Sequence, residues 1–458
     1  MAAPDAIRCG VAGGIKPVSL TRELIRLIRS KPVSDRDLRQ SALFTLDTLC
    51  CALGALKTEP ARMLKAVAPP ESGDTGRRAF YLGGLSHILE MDDLHRQSVT
   101  HPGSVVVPAA WAIAEARGLG GRAFLKAVLA GYEACCRIGM AVGKAHYRVW
   151  HNTSTCGPFG AAMAAADLLG LSEEQTVWAL GNAGTQSSGL WEFLASGAMS
   201  KHLHTARATE SGLLAALLAK EGFTGPDRIL EGEKGFFAGL CPDPVPEAVL
   251  AQPDAPWELT RTSIKPWPCC RHAQPTIDAA IALHGELGGA KPLRIKVGTY
   301  QAALDVCDRP LPEDPYSAKF SLQHCVAVAL MDGRVVQSSF DPDARARVAE
   351  LRGRVELSKS SSIDAAYPEA WGAEVSVEMA DGRRLGALRR ACKGDPENPV
   401  TSAELAAKGR ALLIDGGMAA SDADAFVATV EALADDRPVP ELGLFKRGEA
   451  SVARRRSA

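Results

Sequence analysis

The sequence predicts a mainly α protein, in which a large all-helical domain is formed by both chain ends and a smaller α+β domain is inserted between them. Three observations predict this class. Apolar residues recur at helical spacing from Leu20 to about Gly239, a period-two alternation typical of strands follows Thr262, and helical spacing returns near the C-terminus. The expected boundaries are residues 1–262 and 396–458 for the helical domain and 263–395 for the α+β domain.

The N-terminal part reads as a succession of helices separated by short glycine or proline breaks. Leu24 and Ile28 share a face of the first segment, and Ser34 is placed to cap the second. Two segments, 156–168 and 205–219, are dense in alanine and glycine on more than one face, which allows helices to approach closely. We expect both to be buried in a multilayered bundle.

The α+β domain begins with the proline-rich junction "SIKPWPCCRHAQP". The run "PLRIKVGTY" alternates as a half-buried strand, and "AEVSVEMADGRRLGALR" predicts two strands joined by a turn at Asp381 and Gly382. A helix is expected at about 317–331. The exit "CKGDPENPVTSAEL" then leads back to helices.

Composition argues against several classes of partner. The formal net charge is -1 and no basic patch is apparent, so we expect no nucleic acid and no membrane surface as partner; the terminal "ARRRSA" is expected to be a solvated tail. No apolar run reaches the about twenty residues of a membrane span. The twelve cysteines are single or adjacent and no signal segment is recognised, which favours reduced thiols and a cytoplasmic protein.

The stretch "HILEMDDLHRQSVTHPGS", which begins at His87, concentrates carboxylates and imidazoles in an otherwise apolar region. On a helix that continues from the preceding segment, Glu90 and Asp93 share a face, whereas His101 leaves the helix because a proline follows it. Carboxylates this close repel one another, so at least one should titrate high or pair with histidine or lysine. A metal site and a solvated helix end are the alternatives, although the spacing matches no known ligand set.

Two further polar clusters lie at expected helix starts. In "HNTSTCGPFG", the side chains of Asn152, Thr153 and Ser154 precede a glycine-rich helix, where they could bind a carboxylate or phosphate or simply cap the helix. In "SKHLHTARATESG", Lys201 and His204 lie at the start of a helix, where cations oppose the dipole. This position favours an anion nearby, although a charged helix start at a subunit surface would have the same sequence.

The domain junction supplies the last cluster, with Lys265 as a candidate anion holder and His272 as a candidate acid or base, unless both are hinge residues. Cys269 and Cys270 are adjacent and so lack the CxxC spacing of redox and zinc sites. The motifs of dinucleotide binding, phosphate-binding loops, serine hydrolases and zinc proteases are missing from the sequence. We therefore expect no cofactor and no metal.

These motifs together resemble the MmgE/PrpD family, which includes 2-methylcitrate dehydratase, cis-aconitate decarboxylase and iminodisuccinate epimerase. The resemblance covers nearly the whole chain, through "FTLDTLCCALGAL", "EMDD…THPGSVVVPAA", "GYEACCRIG", "WHNTSTCGPFGAA", "SKHLHTARATESGLLAALLAKEGFTGP", "KPWPCCRHAQPTIDA" and "QHCVAVALMDG". It implies a helical domain with an inserted α+β lid, a homodimer, and an active site between the two parts.

By motif position, the resemblance implies catalytic roles for Glu90, His101, His151, Lys201 and Lys265. The candidate substrate-binding residues, from the resemblance and from the clusters above, are Asp93, Asn152, Thr153, Ser154, His204, Cys270, His272 and His324. Two features depart from the better-known lyases. Glu90 and Leu94 stand where those lyases have aspartate and threonine, and His324 stands where some members have an aromatic residue, which predicts a reshaped pocket.

The resemblance implies cofactor-independent proton transfer next to a carboxylate of a small di- or tricarboxylic acid. The two lysines would hold the enediolate, His101 and His151 would carry protons, and Glu90 would orient or tune His101. The favoured reaction is a 2-methylcitrate dehydratase-like carbon–oxygen lyase. Epimerisation of a dicarboxylate, decarboxylation of the cis-aconitate type, and a non-catalytic ligand-binding or dimer scaffold are the alternatives.

Overall fold

Helices dominate the protein, whose computed structural model describes residues 18–442. Residues 1–17 and 443–458, with the basic tail expected above, lie outside the described residues. The part before the domain junction contains α1 (Leu20–Ser30), α2 (Asp35–Gly54), α3 (Glu59–Val67), α4 (Thr75–Ser86), α5 (Gly103–Arg117), α6 (Gly121–Ala141), α7 (Asn152–Leu169), α8 (Glu173–Gly184), α9 (Phe193–Ser196), α10 (Ser200–Lys220) and α11 (Phe236–Leu240). Two short strands, β1 (Leu94–His95) and β2 (Thr262–Ser263), pair antiparallel.

The helix starts follow the capping residues in the sequence. Ser34 accepts a hydrogen bond from the backbone N–H of Asp37 in a capping box that begins α2, as predicted. The expected burial of the small-residue segments is confirmed for nearly all of α7 and for most of α10, which keeps one face exposed. At the crossing of α6 and α7, a Cβ on Gly131 would lie 2.8 Å from the carbonyl oxygen of Gly160, so only glycine allows this approach.

The C-terminal helices, α19 (Ser402–Asp415) and α20 (Ala420–Glu431), share one apolar core with the N-terminal helices. Helix α19 packs on α2, where a side chain at Gly416 would collide with the carbonyl of Leu53. Lys408 of α19 reaches the carboxylate of Asp47 at 2.5 Å. The chain ends therefore pack together, while the residue boundaries of the domains stay predictions.

The α+β part contains α12 (Gln274–Leu287), β3 (Arg294–Thr299), α13 (Gln301–Cys307), α14 (Pro315–Ala318), α15 (Leu322–Asp332), α16 (Pro342–Arg347), α17 (Ala349–Arg352), β4 (Val355–Lys359), α18 (Ser361–Asp364), β5 (Ala373–Glu378) and β6 (Arg384–Arg389). Its sheet has the order β4-β3-β5-β6, with β4 parallel to β3 and the other pairs antiparallel. Ile295 and Val377 face a core shared with α12 and α15. This confirms the mainly α class with a small α+β part.

Three local predictions were wrong. The single helix expected at about 317–331 is two, because Ser321 caps a new helix, α15. The helix before the acidic cluster does not continue to Asp93; it ends at Ser86, and Glu90 adopts a left-handed backbone with φ 59°. The charged side chains of the acidic cluster have partners in several directions, and side chains on one face of a helix could not reach all of these partners. Thr153 and Ser154 do not cap α7, because the helix already begins at Asn152.

Two further observations concern the membrane and the thiols. Within residues 18–442, no helix combines the length and the apolar character needed to cross a bilayer. The cysteines of the same range are free thiols, and all of them are buried. The adjacent pairs therefore pack as small apolar side chains, as expected.

Candidate active site

A cavity of about 280 Å³ lies where the helical bundle meets the α+β part, and both contribute to its walls. The structure brings together at this cavity all the residues predicted to be catalytic, namely Glu90, His101, His151, Lys201 and Lys265, with Cys270 and His272 beside them. These residues are widely separated in sequence, and the fold alone makes them neighbours.

Glu90 binds the two lysines of the site. Its carboxylate accepts hydrogen bonds from Nζ of Lys201 at 2.6 and 2.8 Å, and Nζ of Lys265 lies 3.8 Å away and donates to the carbonyl of Glu90. All three side chains are buried. Burial alone would raise the pKa of Glu90, but the two ammonium groups outweigh it and hold this pKa far below its usual range. Glu90 is therefore an anion that positions the lysines.

His101 is held as a neutral base. Its Nδ1 lies 2.5 Å from the backbone oxygen of Asp93, which can only accept, and 3.2 Å from Oδ2 of Asp92. Nδ1 must therefore carry the hydrogen, which leaves the lone pair on Nε2. Burial lowers the pKa of His101 to about 4 despite the neighbouring Asp92 carboxylate. The imidazole is thus unprotonated at neutral pH and able to accept a proton.

Asp92 joins this histidine to a second one. Nδ1 of His87 lies 2.6 Å from the same Oδ2 atom, and Nζ of Lys265 lies 3.7 Å from Oδ1. Burial opposes ionisation of Asp92, yet His87, His101 and Lys265 keep its pKa well below the usual range. The carboxylate therefore orients two rings and balances one lysine.

His151 is the second candidate proton carrier. It is buried, its Nδ1 lies 3.2 Å from Nδ1 of His204, and its Nε2 has no hydrogen-bond partner among the described residues. The ring stacks on His87 with 5.7 Å between centroids. Burial and the neighbouring cationic groups lower the pKa of His151 well below its usual value. This ring is also neutral at pH 7.

His272 and Cys270 line the cavity but are engaged by its walls. The ring of His272 stacks on Trp371 at 4.6 Å, and its Nδ1 is 2.7 Å from the hydroxyl of Tyr300. Burial lowers the pKa of His272 to about 3. A hydrogen bond with Cys307 lowers the pKa of the Cys270 thiol. Neither side chain is arranged as the principal base.

Several candidates lie behind the cavity wall instead. Asp93 accepts hydrogen bonds from the hydroxyl of Tyr132 at 2.7 Å and from the backbone N–H of Gly103, and burial raises its pKa well above the usual range. His324 lies in the lid core, where its Nε2 is 2.9 Å from the carbonyl of Ser339. The structure therefore separates both side chains from the cavity.

Asn152, Thr153 and Ser154 bond backbone groups in and near the histidine-containing segments. Thr153 accepts a hydrogen bond from the backbone N–H of His101 at 3.0 Å, and Asn152 donates from Nδ2 to the carbonyl of Ser98 at 2.8 Å. Ser154 reaches the carbonyl of His204 at 3.5 Å. None of Asn152, Thr153, Ser154 and His204 lines the cavity.

Sequence reasoning missed His87, Arg271 and the aromatic wall. Arg271 is buried, pairs with Asp395, and lies 5.4 Å from the ring of Trp371. His87 lies in the acidic stretch, and its closeness in sequence to carboxylates was the signal that could have identified it. Trp371 had none, because it comes from a distant loop of the lid.

Within residues 18–442, His87, Asp92 and His101 have potential metal-ligand atoms within 4.8 Å of one another. Nδ1 of His87, however, bonds the Asp92 carboxylate at 2.6 Å, Nδ1 of His101 lies 3.2 Å from the same oxygen, and the ammonium of Lys265 adds positive charge 3.7 Å from the other oxygen. These contacts fit a hydrogen-bonded triad better than a ligand set for a cation.

Comparison with known proteins gives consistent relatives. Family models of the MmgE/PrpD N-terminal and C-terminal domains match residues 23–248 and 267–435. The cis-aconitate decarboxylase-like protein oryM of Aspergillus oryzae is 29% identical over 365 residues, which cover 73% of this chain and 74% of the relative. The cis-aconitate decarboxylase of Homo sapiens is 27% identical, over 73% of this chain and 71% of its own. The 2-methylcitrate dehydratase of Cupriavidus necator is 24% identical, over 77% and 82%.

Proposed function

Since the chain belongs to the MmgE/PrpD family, we propose that it is a cofactor-independent lyase that transfers a proton at the carbon next to a carboxylate of a small di- or tricarboxylic acid. One observation carries the proposal. A neutral imidazole with its Nε2 lone pair free, His101, lines the same cavity as two buried lysines.

The chemistry follows from the acidity of the substrate. A proton next to a carboxylate is very weakly acidic, so the negative charge that develops on the carboxylate oxygens must be stabilised where it forms. Lys201 and Lys265 supply that stabilisation, and Glu90 fixes the Nζ of Lys201 by two hydrogen bonds. His101 accepts the proton at Nε2.

His151 serves as the second proton carrier. Its Nδ1 faces Nδ1 of His204, so when His204 donates this hydrogen bond, Nε2 of His151 carries a hydrogen. That N–H can donate a hydrogen bond to a departing hydroxyl and stabilise the negative charge that develops on it. This arrangement supports the carbon–oxygen lyase as the first candidate.

Decarboxylation is the second candidate, and two observations favour it. The cis-aconitate decarboxylase of Homo sapiens and the cis-aconitate decarboxylase-like protein oryM of Aspergillus oryzae each align with 73% of this chain. The cavity also has large apolar side chains, among them Leu94, Phe320 and Trp371. An apolar neighbourhood disfavours a carboxylate relative to neutral carbon dioxide.

Incubation of the EDTA-treated protein in D2O with di- and tricarboxylates, followed by NMR, tests the proposal. The panel contains 2-methylcitrate, citrate, cis-aconitate, malate, aspartate and iminodisuccinate. Deuterium exchange with loss of water identifies a dehydratase, and release of carbon dioxide with deuterium gained identifies a decarboxylase. Exchange with inversion would reveal an epimerase. No reaction would contradict the proposal and favour a scaffold, unless a divalent metal restores turnover, which would revive the metal site.

The protein is further proposed to be a cytoplasmic homodimer. Met199, Leu203 and Leu214 are exposed apolar side chains on or just before α10, and their spacing places them on one face. The buried free thiols suit a reducing compartment. Light scattering after size-exclusion chromatography tests the dimer, and cell fractionation tests the compartment. A monomer would contradict the proposed dimer, and recovery in the fraction of another compartment would contradict the proposed cytoplasmic location.

A further inference from the structure

The cavity has one apolar wall that is continuous across both parts of the protein. Leu94 and Val99 from the helical part belong to one hydrophobic cluster with Ala302, Tyr367 and Trp371 from the α+β part. All five line the cavity. Its aliphatic side chains and aromatic faces favour a hydrocarbon group over a carboxylate, because the indole N–H of Trp371 already donates to the carbonyl of Pro368 and the hydroxyl of Tyr367 is the polar group that this wall retains.

The charged wall of the cavity, which contains Glu90, Lys201, Lys265 and Arg271, has little positive charge that is not already paired with a carboxylate. Lys201 pairs with Glu90, and Lys265 lies 3.7 Å from Asp92. Arg271, the third buried cation, pairs through Nη2 with the buried carboxylate of Asp395, which leaves its Nη1 as a buried guanidinium donor without a partner among the described residues.

The other charges near the cavity change this balance little. At the rim, Arg148 and Asp305 are exposed and opposite in sign. Behind the wall, Lys319 is buried and donates to the carbonyl of Leu89 and to Gln337. It adds one positive charge without lining the cavity.

Each carboxylate that enters must therefore lose its hydration against cations that already have partners. The cost of desolvating a charge grows with every further carboxylate, whereas an apolar group gains from the same burial. The charged wall therefore favours a carboxylate of the substrate, and the apolar wall favours a hydrocarbon group on the same molecule.

We propose that the substrate is a dicarboxylate that carries an alkyl or aryl substituent in place of the third carboxylate of a tricarboxylate. This inference rests on the proposed function, whose substrate class it narrows. The carboxylate next to the reacting carbon lies against Lys201 and Lys265, within reach of His101. The substituent lies against Leu94 and Trp371.

Binding of two unreactive ligands tests this choice directly. Tricarballylate is succinate with a carboxymethyl group at C2, and 2-butylsuccinate carries a butyl group at the same carbon. Titration calorimetry on the wild-type protein should give at least tenfold tighter binding for 2-butylsuccinate. Equal affinities, tighter binding of tricarballylate, or no binding of either ligand would overturn the inference.

One substitution tests whether the apolar wall is responsible for the difference in affinity between the two ligands. Val306 is half-buried, lines the cavity and lies one helical turn after Ala302 of the apolar wall on α13, so Val306→Arg adds a cation beside that wall. The ratio of the two affinities should move at least tenfold toward tricarballylate. Leu311→Arg is the matched control, because Leu311 is 78% exposed outside the cavity and should leave the ratio unchanged. An unchanged ratio in Val306→Arg would overturn the placement, and the wild-type comparison remains decisive if this variant fails to fold.

Turnover separates this inference from the proposed function. Citrate is malate with a carboxymethyl group at C2, so 2-butylmalate and 2-benzylmalate complete a matched series for deuterium exchange. We expect kcat/KM for the butyl or benzyl compound to exceed that for citrate at least tenfold. Faster reaction of citrate overturns the inference and leaves the proposed function intact. No exchange with any compound, together with tighter binding of 2-butylsuccinate, overturns the proposed function and leaves the binding preference standing.

Discussion

Replacement of His101 is the sharpest test of the proposed chemistry. Glutamine preserves much of the volume, and its amide can still donate to the carbonyl of Asp93 that now accepts from Nδ1 at 2.5 Å. It cannot accept a proton at neutral pH. Because a positioned general base contributes about 10²- to 10⁴-fold, His101→Gln should lower kcat/KM at least about a hundredfold.

The pH profile gives this prediction a signature that a structural role lacks. The neutral imidazole is the active form, so activity should fall as the pH drops through the pKa of His101, about 4. At pH 5 about nine tenths of a base with that pKa remains neutral, compared with about 3% of an ordinary histidine. The acid limb of kcat/KM should therefore lie near pH 4.

Asp92→Asn separates the strength of the base from its orientation. The carbonyl of Asp93 still fixes the hydrogen on Nδ1 of His101, so the tautomer survives. Loss of the carboxylate removes the charge that raises the pKa of His101, and the acid limb should move below pH 4. The loss in kcat/KM should be smaller than in His101→Gln, about tenfold to a hundredfold.

Steady-state kinetics from about pH 2.5 to 9, on the substrate identified by deuterium exchange, measures the losses in kcat/KM and the position of each acid limb. His284→Gln is the matched control, because His284 bonds the carbonyl of Leu330 in the lid and does not line the cavity. It should leave kcat/KM and its pH profile unchanged. A folded His101→Gln protein within tenfold of wild type, or a wild-type acid limb near pH 6.5, would refute the assignment of His101 as the base.

Three further predictions follow from buried charges and from His324. Glu90→Gln leaves Lys201 without its buried carboxylate and should lower the free energy of unfolding by about 3 kcal/mol. The double variant with Glu90→Gln and Lys201→Met should recover most of this loss, because no unpaired ammonium is then buried. Urea denaturation measures both free energies, and strictly additive losses would argue against coupling between the two side chains. Acidification from pH 6.5 to 4 should destabilise the fold by about 3 kcal/mol from His101 alone, because burial lowers its pKa to about 4 and the unfolded chain takes up the proton first; a urea midpoint that stays constant over this range would contradict that. His324→Leu should leave kcat/KM within about twofold, since this ring lies in the lid core, and a large rise in KM would show that it contacts substrate.

Motifs in the sequence were enough to find Glu90, the two lysines and the two candidate proton carriers of the site, although not Asp92 or Arg271, and periodicity was enough to find the two kinds of domain. Glu90, Lys201 and Lys265 each stood in a recognisable polar cluster, although nothing local shows that they meet. The helix that ends at Ser86 was not predictable, because apolar spacing continues past it. What ends it is tertiary: the left-handed backbone of Glu90 directs its carboxylate to Lys201, which lies 111 residues away in the sequence.

The aromatic side of the cavity escaped prediction for a related reason. Trp371 and Tyr367 lie in a loop of the α+β part, where their sequence neighbourhood carries no charge pattern and no helical period. Their position beside Leu94 depends on how the helical part and the α+β part pack together, and the packing inside both parts determines this arrangement. A single apolar or aromatic residue in a loop gives no sign of the partner across such an interface.

This division between the two walls suggests how chemistry and specificity are distributed in the chain. His101, His151 and Glu90 come from the helical part, and Lys265 lies at the junction, whereas the α+β part supplies Ala302, Val306 and Trp371. The base and its orienting carboxylate thus belong to one rigid bundle, where substitutions disturb several partners at once. The lid side chains make fewer polar contacts, so their replacement can change which substituent fits without moving the base. Substrate preference should therefore respond to lid substitutions such as Val306→Arg, while the pH profile set by His101 stays the same.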